Sequence, residues 1–183
     1  MAITLTVETG AVVPGANTFV SLANFKTYLT NRGHSFTSYT DDQLSAALIR
    51  TGQYLNGLYW MGRKTGRANH MCWPRESDGN YPDYIAAGQE ITGGVIDRNG
   101  YEIETNEVPT EVINAQCEGA WIEIQWTNLQ PSLERGGAVQ SEKVDVIQMT
   151  YFSGAPGTSR HLVIESLLAG LLRSSLSIET TRA

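Results

Sequence analysis

The sequence predicts a mainly helical α+β domain: a bundle of about four helices with a short N-terminal strand and two small β-hairpins. Two observations lead to this prediction. Four segments carry apolar residues at helical spacing, and several shorter ones alternate apolar and polar residues. The chain has 183 residues, 41% of them hydrophobic, which is enough for one domain with a packed core. We therefore assign residues 1–173 to a single domain and residues 174–183 to an extended C-terminal tail.

The first two predicted helices have clear starting signals. Ser21 is a suitable N-cap for a first helix that ends at Gly33. Thr40 begins the second helix, and Gln43 follows three residues later, as in a capping box. Each helix carries an apolar stripe that predicts its buried face: Leu22, Phe25 and Leu29 in the first, and Leu44, Leu48, Thr51, Leu55 and Leu58 in the second.

Two further helices are predicted in the second half of the chain. Pro109 suits the first turn of the third helix, because the nitrogen of proline has no hydrogen to donate. The apolar stripe of this helix contains Ile113, Cys117, Ala120 and Ile124. The segment from Leu162 to Leu172 is strongly apolar and predicts a fourth helix that is buried around most of its circumference.

The remaining segments predict short strands and one long loop. Ile3 to Glu8 alternates as a short strand does. Residues 62–106 are rich in Gly, Pro, Asn and Asp and predict a projecting loop, which holds a small hairpin around Asn99-Gly100. Residues 138–144 and 146–152 predict a β-hairpin before the last helix.

The charge is unevenly distributed. The net charge is −6, which argues against a protein that covers nucleic acid with its whole surface. Five basic residues lie in a stretch without Asp or Glu: Arg50, Arg63, Lys64, Arg67 and Arg75. Six acidic residues lie in a later stretch without Lys or Arg: Glu102, Glu104, Glu107, Glu111, Glu118 and Glu123. This asymmetry predicts that one surface meets a negative partner and another a positive one, although solvated helix faces would give the same pattern.

The sequence offers no pattern typical of an enzyme, a cofactor site or a membrane span. His70 and Cys72 are the only pair at metal-ligand spacing, and one pair does not make a four-ligand zinc site. Neither a nucleophile elbow nor a phosphate-binding or dinucleotide-binding glycine motif is present. We therefore expect no catalytic residues, no cofactor, no metal and no membrane partner.

One stretch combines aromatic and basic residues, as single-stranded nucleic acid binding requires. It runs from Tyr59 to Arg67 and includes Trp60, Arg63 and Lys64. If the protein binds DNA, we expect Trp60, Arg63, Lys64 and Arg67 to face it. The alternative is that Tyr59, Trp60 and Trp73 anchor the core beneath a solvated loop.

The order of motifs along residues 2–172 resembles a known family. The segments that carry the resemblance are Asn17 to Ser21, Arg32-Gly33, Trp60 to Lys64, Trp73 to Arg75, Asp97 to Tyr101, Val108-Pro109, Ala115-Gln116, Leu133 to Val139, Lys143-Val144, and Tyr151 with Gly154 to Pro156. They resemble tailed-bacteriophage proteins often labelled DnaT-like single-stranded-DNA-binding proteins, whose members are similar to head-completion or head-to-tail adaptor proteins of the phage neck.

The resemblance implies a structural role in the virion. Such an adaptor forms a homo-oligomeric ring, dodecameric to match the portal, which extends the DNA channel and links head to tail. Its partners are the portal protein, tail or neck proteins and DNA in the channel, and it is made in the cytoplasm of the bacterial host. The alternative function is a single-stranded-DNA-binding accessory protein in phage replication.

Two contact regions follow from this interpretation. Neighbouring subunits are expected to meet through charge-complementary flanks, namely Arg63, Lys64 and Arg67 against Glu102, Glu104 and Glu111. The tail is expected to dock on the portal through Leu176 and Ile178, although a frayed terminus would have the same composition.

Overall fold

The computed structural model describes residues 3–79, 85, 88, 90–125, 128–130, 141–144, 147–150 and 161–173. Its elements follow in the order α1 (Leu22–Asn31), α2 (Asp41–Asn56), β1 (Arg63–Lys64), β2 (Arg75–Glu76), β3 (Val95–Ile96), β4 (Glu102–Ile103), α3 (Thr110–Ile124), β5 (Ser141–Val144), β6 (Ile147–Thr150) and α4 (Leu162–Leu168). The strands form antiparallel pairs β1–β2, β3–β4 and β5–β6. The predicted class, a mainly helical α+β fold with four helices, is confirmed.

The core is built on α3, which packs against both α2 and α4. The predicted stripes supply much of it, and nine of their residues are buried: Phe25, Leu29, Leu44, Leu48, Thr51, Leu55, Cys117, Ala120 and Ile124. Leu22 and Ile113 are partly buried at the edge of the same cluster. The sequence stripes therefore identify the buried helix faces correctly.

The helix starts confirm the predicted capping chemistry. The Oγ of Ser21 accepts a hydrogen bond from the Asn24 N–H at 3.2 Å. At the start of α2, the Gln43 N–H donates to the Thr40 Oγ1 at 3.2 Å, and the Thr40 N–H donates to the Gln43 Oε1 at 2.8 Å. Both ends of the capping box are therefore closed, which satisfies N–H groups that have no partner inside the helix.

A buried glutamine joins three parts of the fold. Gln116 of α3 is fully buried. Its Oε1 accepts a hydrogen bond from the Phe19 N–H at 2.7 Å, and its Nε2 donates to the Leu48 carbonyl of α2 at 2.9 Å. The carboxamide thus fixes the segment before α1 and the middle of α2 against the same point of α3.

The small sheets follow the predicted hairpins only in part. Strands β3 and β4 pair around the predicted turn, with Gly100 at a φ of 87° that favours glycine. Strands β5 and β6 form the predicted second hairpin, and the outer parts of its two predicted segments lie outside the described residues. The pairing of β1 with β2 was not predicted, because two-residue strands show no alternation.

The segment 62–106 does not project along its whole length. Met71, Cys72 and Trp73 are buried, and so are Val95 and Ile96 of β3. Met71, Cys72, Trp73 and Val95 belong to the main core. The predicted projecting loop is therefore packed against the rest of the fold at both of these places, because burial of its apolar side chains is favourable.

The two ends of the described chain also differ from simple expectation. The predicted strand from Ile3 to Glu8 is reduced to one parallel bridge, between Val7 and Thr18. The last helix ends at Leu168, and Leu162 at its start is 69% exposed, so it is not buried all round. Beyond α4 the chain runs antiparallel to the segment after α2, with a bridge between Trp60 and Leu172.

We expect Gln116→Leu to destabilise the protein by about 1–3 kcal/mol, because it leaves the buried Phe19 N–H without its acceptor, whereas the Leu48 carbonyl lies inside α2 and keeps its helical donor. Urea unfolding of the variant measures this cost. Gln53→Leu is the matched control, because Gln53 is an exposed residue of α2. Equal midpoints for the two variants would contradict the role given to the Gln116 carboxamide.

Candidate nucleic-acid interface

The ladder between the chain after α2 and the chain after α4 decides which aromatic side chain reaches the surface. The Met61 N–H donates to the Leu171 carbonyl at 2.9 Å, and the Arg173 N–H donates to the Tyr59 carbonyl at 2.8 Å. Because side chains alternate along an extended segment, Trp60 points inward and Tyr59 outward. Trp60 is 4% exposed, whereas Tyr59 is 63% exposed.

The structure corrects the expectation that Trp60 faces DNA. The Nε1 of Trp60 donates to the Leu55 carbonyl at 2.8 Å, and its ring meets that of Trp73 edge-to-face at 6.0 Å. Trp60 and Trp73 are therefore core anchors, as the alternative interpretation held, but that interpretation was wrong for Tyr59. Tyr59 is the exposed aromatic residue of this stretch, since the ladder turns it outward.

Arg173 lies against the exposed tyrosine. The Cζ of its guanidinium is 5.4 Å from the centroid of the Tyr59 ring. Its Nε donates to the Trp60 carbonyl at 3.2 Å, and its Nη2 forms an ion pair with Asp78. The side chain is thus held in one orientation beside an open aromatic ring.

The β3–β4 hairpin brings a second arginine to the end of α4. Arg98 packs so closely on Gly170 that a β-carbon there would lie 2.9 Å from the Arg98 Cβ. Gly170 precedes Arg173 by three residues, and the same hairpin exposes Tyr101. We call Tyr59, Arg98, Tyr101 and Arg173 the basic–aromatic surface.

Acidic groups border this surface and weaken its positive potential. Asp97 and Glu111 line a small cleft together with Arg98 and Gly170. The Oδ1 of Asp97 also accepts the Asn99 and Tyr101 N–H groups at 2.8 and 2.9 Å and so shapes the hairpin turn. Any anion bound here would therefore be held by a few contacts and not by a broad positive field.

The predicted basic residues have different surroundings. Arg63 is exposed and forms an ion pair with Glu76 at 2.8 Å. Lys64 donates to the Asn69 carbonyl at 3.1 Å, and burial lowers its pKa. Arg67 is exposed and forms no ion pair within the part of the chain that the structure describes.

Arg75 is a structural residue. It is buried, and its guanidinium donates to the carbonyls of Met61, Gly62 and Cys72 at 2.6, 2.7 and 3.0 Å. These bonds close the turn between β1 and β2 over the core. Its charge is therefore used inside the fold and does not contribute a free cation to the surface.

Several predicted acidic residues act within the same chain. Glu118 accepts a hydrogen bond from the Tyr28 hydroxyl at 2.8 Å, and it forms an ion pair with Arg32, also at 2.8 Å. Glu123 pairs with Arg50 at 2.7 Å, which joins the basic and acidic stretches within one molecule. The exposed acidic residues without an ion pair in the described ranges include Glu104, Glu107 and Glu111.

Glu102 holds the start of its hairpin. Its carboxylate accepts the Thr92 N–H at 2.9 Å and also the Gly94 N–H. Burial alone would raise the pKa of Glu102, but these backbone hydrogen bonds outweigh it and lower the pKa. The predicted role of Glu102 in a subunit contact stays a prediction, and its carboxylate is already occupied by local donors.

The described residues contain no group of three or more His, Cys, Asp and Glu side chains that could hold a metal ion. Cys72 and Cys117 are both buried free cysteines, and burial raises the pKa of each thiol to about 12. Within the same part of the chain, no helix combines the length and the apolar character needed to cross a bilayer. Leu176 and Ile178, the predicted portal-docking residues, lie outside the described residues.

The protein is thus a mainly helical α+β protein in which Arg173 lies beside the exposed Tyr59, while Arg98 and the exposed Tyr101 lie on the hairpin that packs on Gly170. The chain belongs to the family described as "Putative DnaT-like ssDNA binding protein", whose model matches residues 3–183. Comparisons with curated proteins and with solved structures found no match. The resemblance noted from the motifs is thus confirmed for the family, while the adaptor role stays a prediction.

We expect Glu102→Gln to lower the stability at pH 7 by about 1 kcal/mol, because a neutral amide accepts the Thr92 and Gly94 N–H groups less strongly. Because the pKa of Glu102 is lowered in the folded state, its carboxylate stabilises the fold at pH values above its ordinary pKa of 4.5. This stabilisation is lost as the pH falls through the lower pKa of the folded state. Thermal melts at several pH values should therefore show a difference from the parent that disappears in acid. Glu104→Gln is the control, and a difference independent of pH would contradict this account.

Proposed function

We propose that the protein binds single-stranded DNA through the basic–aromatic surface. The observation that carries the proposal is the guanidinium of Arg173 held beside the exposed ring of Tyr59. The description of the family to which the chain belongs supports the same kind of ligand. An exposed aromatic ring next to arginines is the usual platform for an unpaired base and its phosphate.

The chemistry of binding follows from these side chains. A base stacks on the ring of Tyr59, and stacking tolerates any sequence because every base has a π-face. Arg98 provides a cation for one adjacent phosphate, and Arg173 provides a second when a phosphate displaces its ion-pair partner Asp78. With two phosphates neutralised, the logarithm of the binding constant should fall with the logarithm of salt concentration at a slope of about −1.4. The net charge of −6 limits the affinity, because the rest of the molecule repels DNA.

We expect Tyr59→Ala to weaken the binding of a labelled oligothymidine by about 1–3 kcal/mol, the usual value of one stacked base. Fluorescence anisotropy at low salt measures the effect. Tyr59→Phe keeps the ring and should bind like the parent. Arg50→Ala removes an exposed arginine that pairs with Glu123 and serves as the charge control. The proposal fails if Tyr59→Ala and Arg50→Ala reduce binding equally, or if the parent does not bind at low salt.

A head-to-tail adaptor of a tailed phage is the second candidate function. The order of motifs along residues 2–172 supports it, and so does the arrangement of exposed charge. Glu104, Glu107 and Glu111 lie on the loop before α3 and its first turn, whereas Arg63 and Arg67 lie near β1. Opposite charges on separate segments suit a heterologous contact that repeats around a ring, where charge sets the register and the association rate.

We expect a phage that lacks this gene to accumulate DNA-filled heads without tails if the chain is the adaptor, because the portal would have no partner for the tail. Electron microscopy of lysates shows whether heads without tails accumulate. Mass spectrometry of purified wild-type virions shows whether the chain is part of the particle. Complementation with the wild-type gene is the control. Normal tailed particles with reduced phage DNA synthesis would instead favour the replication role.

A further inference from the structure

An open groove lies between the N-terminal segment and the loop before α3. It encloses about 550 Å³. Its wall on the N-terminal side contains Val7 and Thr9, and its other walls contain Phe19, Glu104, Val108 and Ile113. This volume lies within the range of sites that bind ligands, and the proposed DNA binding does not use the groove.

One wall of the groove is an unpaired β-edge. The Thr18 N–H donates to the Thr6 carbonyl at 3.3 Å, and the Glu8 N–H donates to the Thr18 carbonyl at 2.8 Å. Because the backbone groups of an extended chain alternate in direction, those of Val7 point away from Thr18. Within the described part of the chain, no hydrogen bond uses the backbone N–H or C=O of Leu5 or Val7. This edge can therefore accept another strand.

The side chains of the groove define what kind of strand fits. Val108, Ile113 and Phe19 supply apolar surface. Glu104 and Glu107 are exposed at the rim. Glu8 also lines the groove, but its carboxylate is occupied by the N–H groups of residues 10, 12 and 13. A suitable strand carries apolar residues at alternate positions and a cation further along the same face.

We propose that the groove binds residues 174–183 of a neighbouring copy of this chain as an added β-strand. In an extended conformation Leu176, Ile178, Thr180 and Arg182 share one face, and Glu179 lies on the other. Leu176 and Ile178 would pack on the apolar side chains of the groove, and Arg182 would lie near its exposed glutamates. Ten extended residues span about 33 Å, which is enough to cross to an adjacent subunit.

This inference gives Leu176 and Ile178 a binding site on the same kind of chain and not on a portal. It does not depend on DNA binding, because the groove and the basic–aromatic surface share no residue. Repeated from copy to copy, such an exchange is heterologous and builds a ring or an open chain.

Two full-length variants test the two sides of the contact. Leu176→Asp with Ile178→Asp places charges against the apolar floor and should weaken self-association by at least about a hundredfold. Val7→Pro removes the outward N–H, which no hydrogen bond uses in the described part of the chain, and should weaken self-association by about two- to tenfold for one lost hydrogen bond. Sedimentation velocity measures both. The controls are Leu176→Val with Ile178→Val, which keep the tail apolar, and Val7→Thr, which keeps the N–H.

Mixing provides the decisive result. The tail variant keeps an intact groove, and the Val7→Pro variant keeps an intact tail, so in an equimolar mixture the two variants should bind each other more tightly than either binds itself. A labelled peptide of residues 174–183 should also bind the full-length tail variant. The proposal is overturned if the tail variant associates like the parent, or if the peptide does not bind that variant. It is equally overturned if the peptide binds while the parent is monomeric, because the tail would then occupy the groove of its own chain.

Discussion

The fold depends on the carboxamide of Gln116, which places a polar group at the centre of an apolar core. Its oxygen and nitrogen are both paired, one with the segment before α1 and the other with α2. A buried amide in this position allows little variation, since any shift of either segment leaves a donor or acceptor without a partner. Helix α3 therefore fixes the positions of the elements around it by hydrogen-bond geometry as well as by packing.

The same helix uses its acidic residues to hold its neighbours. Glu118 binds α1 and the turn after it through Tyr28 and Arg32, and Glu123 binds α2 through Arg50. Part of the acidic stretch is thus neutralised by arginines of the same molecule. In the acidic stretch, the glutamates without an ion pair among the described residues lie before α3 and in its first turn, and Glu104 and Glu107 line the groove.

Local signals in the sequence predicted the elements well, and tertiary contacts explain the rest. The caps at Ser21 and Thr40 and the hairpin at Asn99-Gly100 are short-range features, so sequence was sufficient for them. The contacts of Arg173 with Tyr59 and of Arg98 with Gly170 were missed, because only the folded chain brings segments so distant in sequence together. The aromatic and basic composition of residues 59–67 indicated the candidate DNA-binding segment, but composition does not determine which aromatic ring faces outward.

The ladder between Tyr59–Met61 and Leu171–Arg173 also has a consequence for the order of events during synthesis. The two segments are separated by more than a hundred residues. Helices α2 and α3 can leave the ribosome and pack before the second segment exists. Until Leu171 to Arg173 emerge, the ladder is missing, and Trp60 is held inward by its contacts with Leu55 and Trp73. The surface that the mature protein presents is therefore completed late in translation, after most of the core has formed.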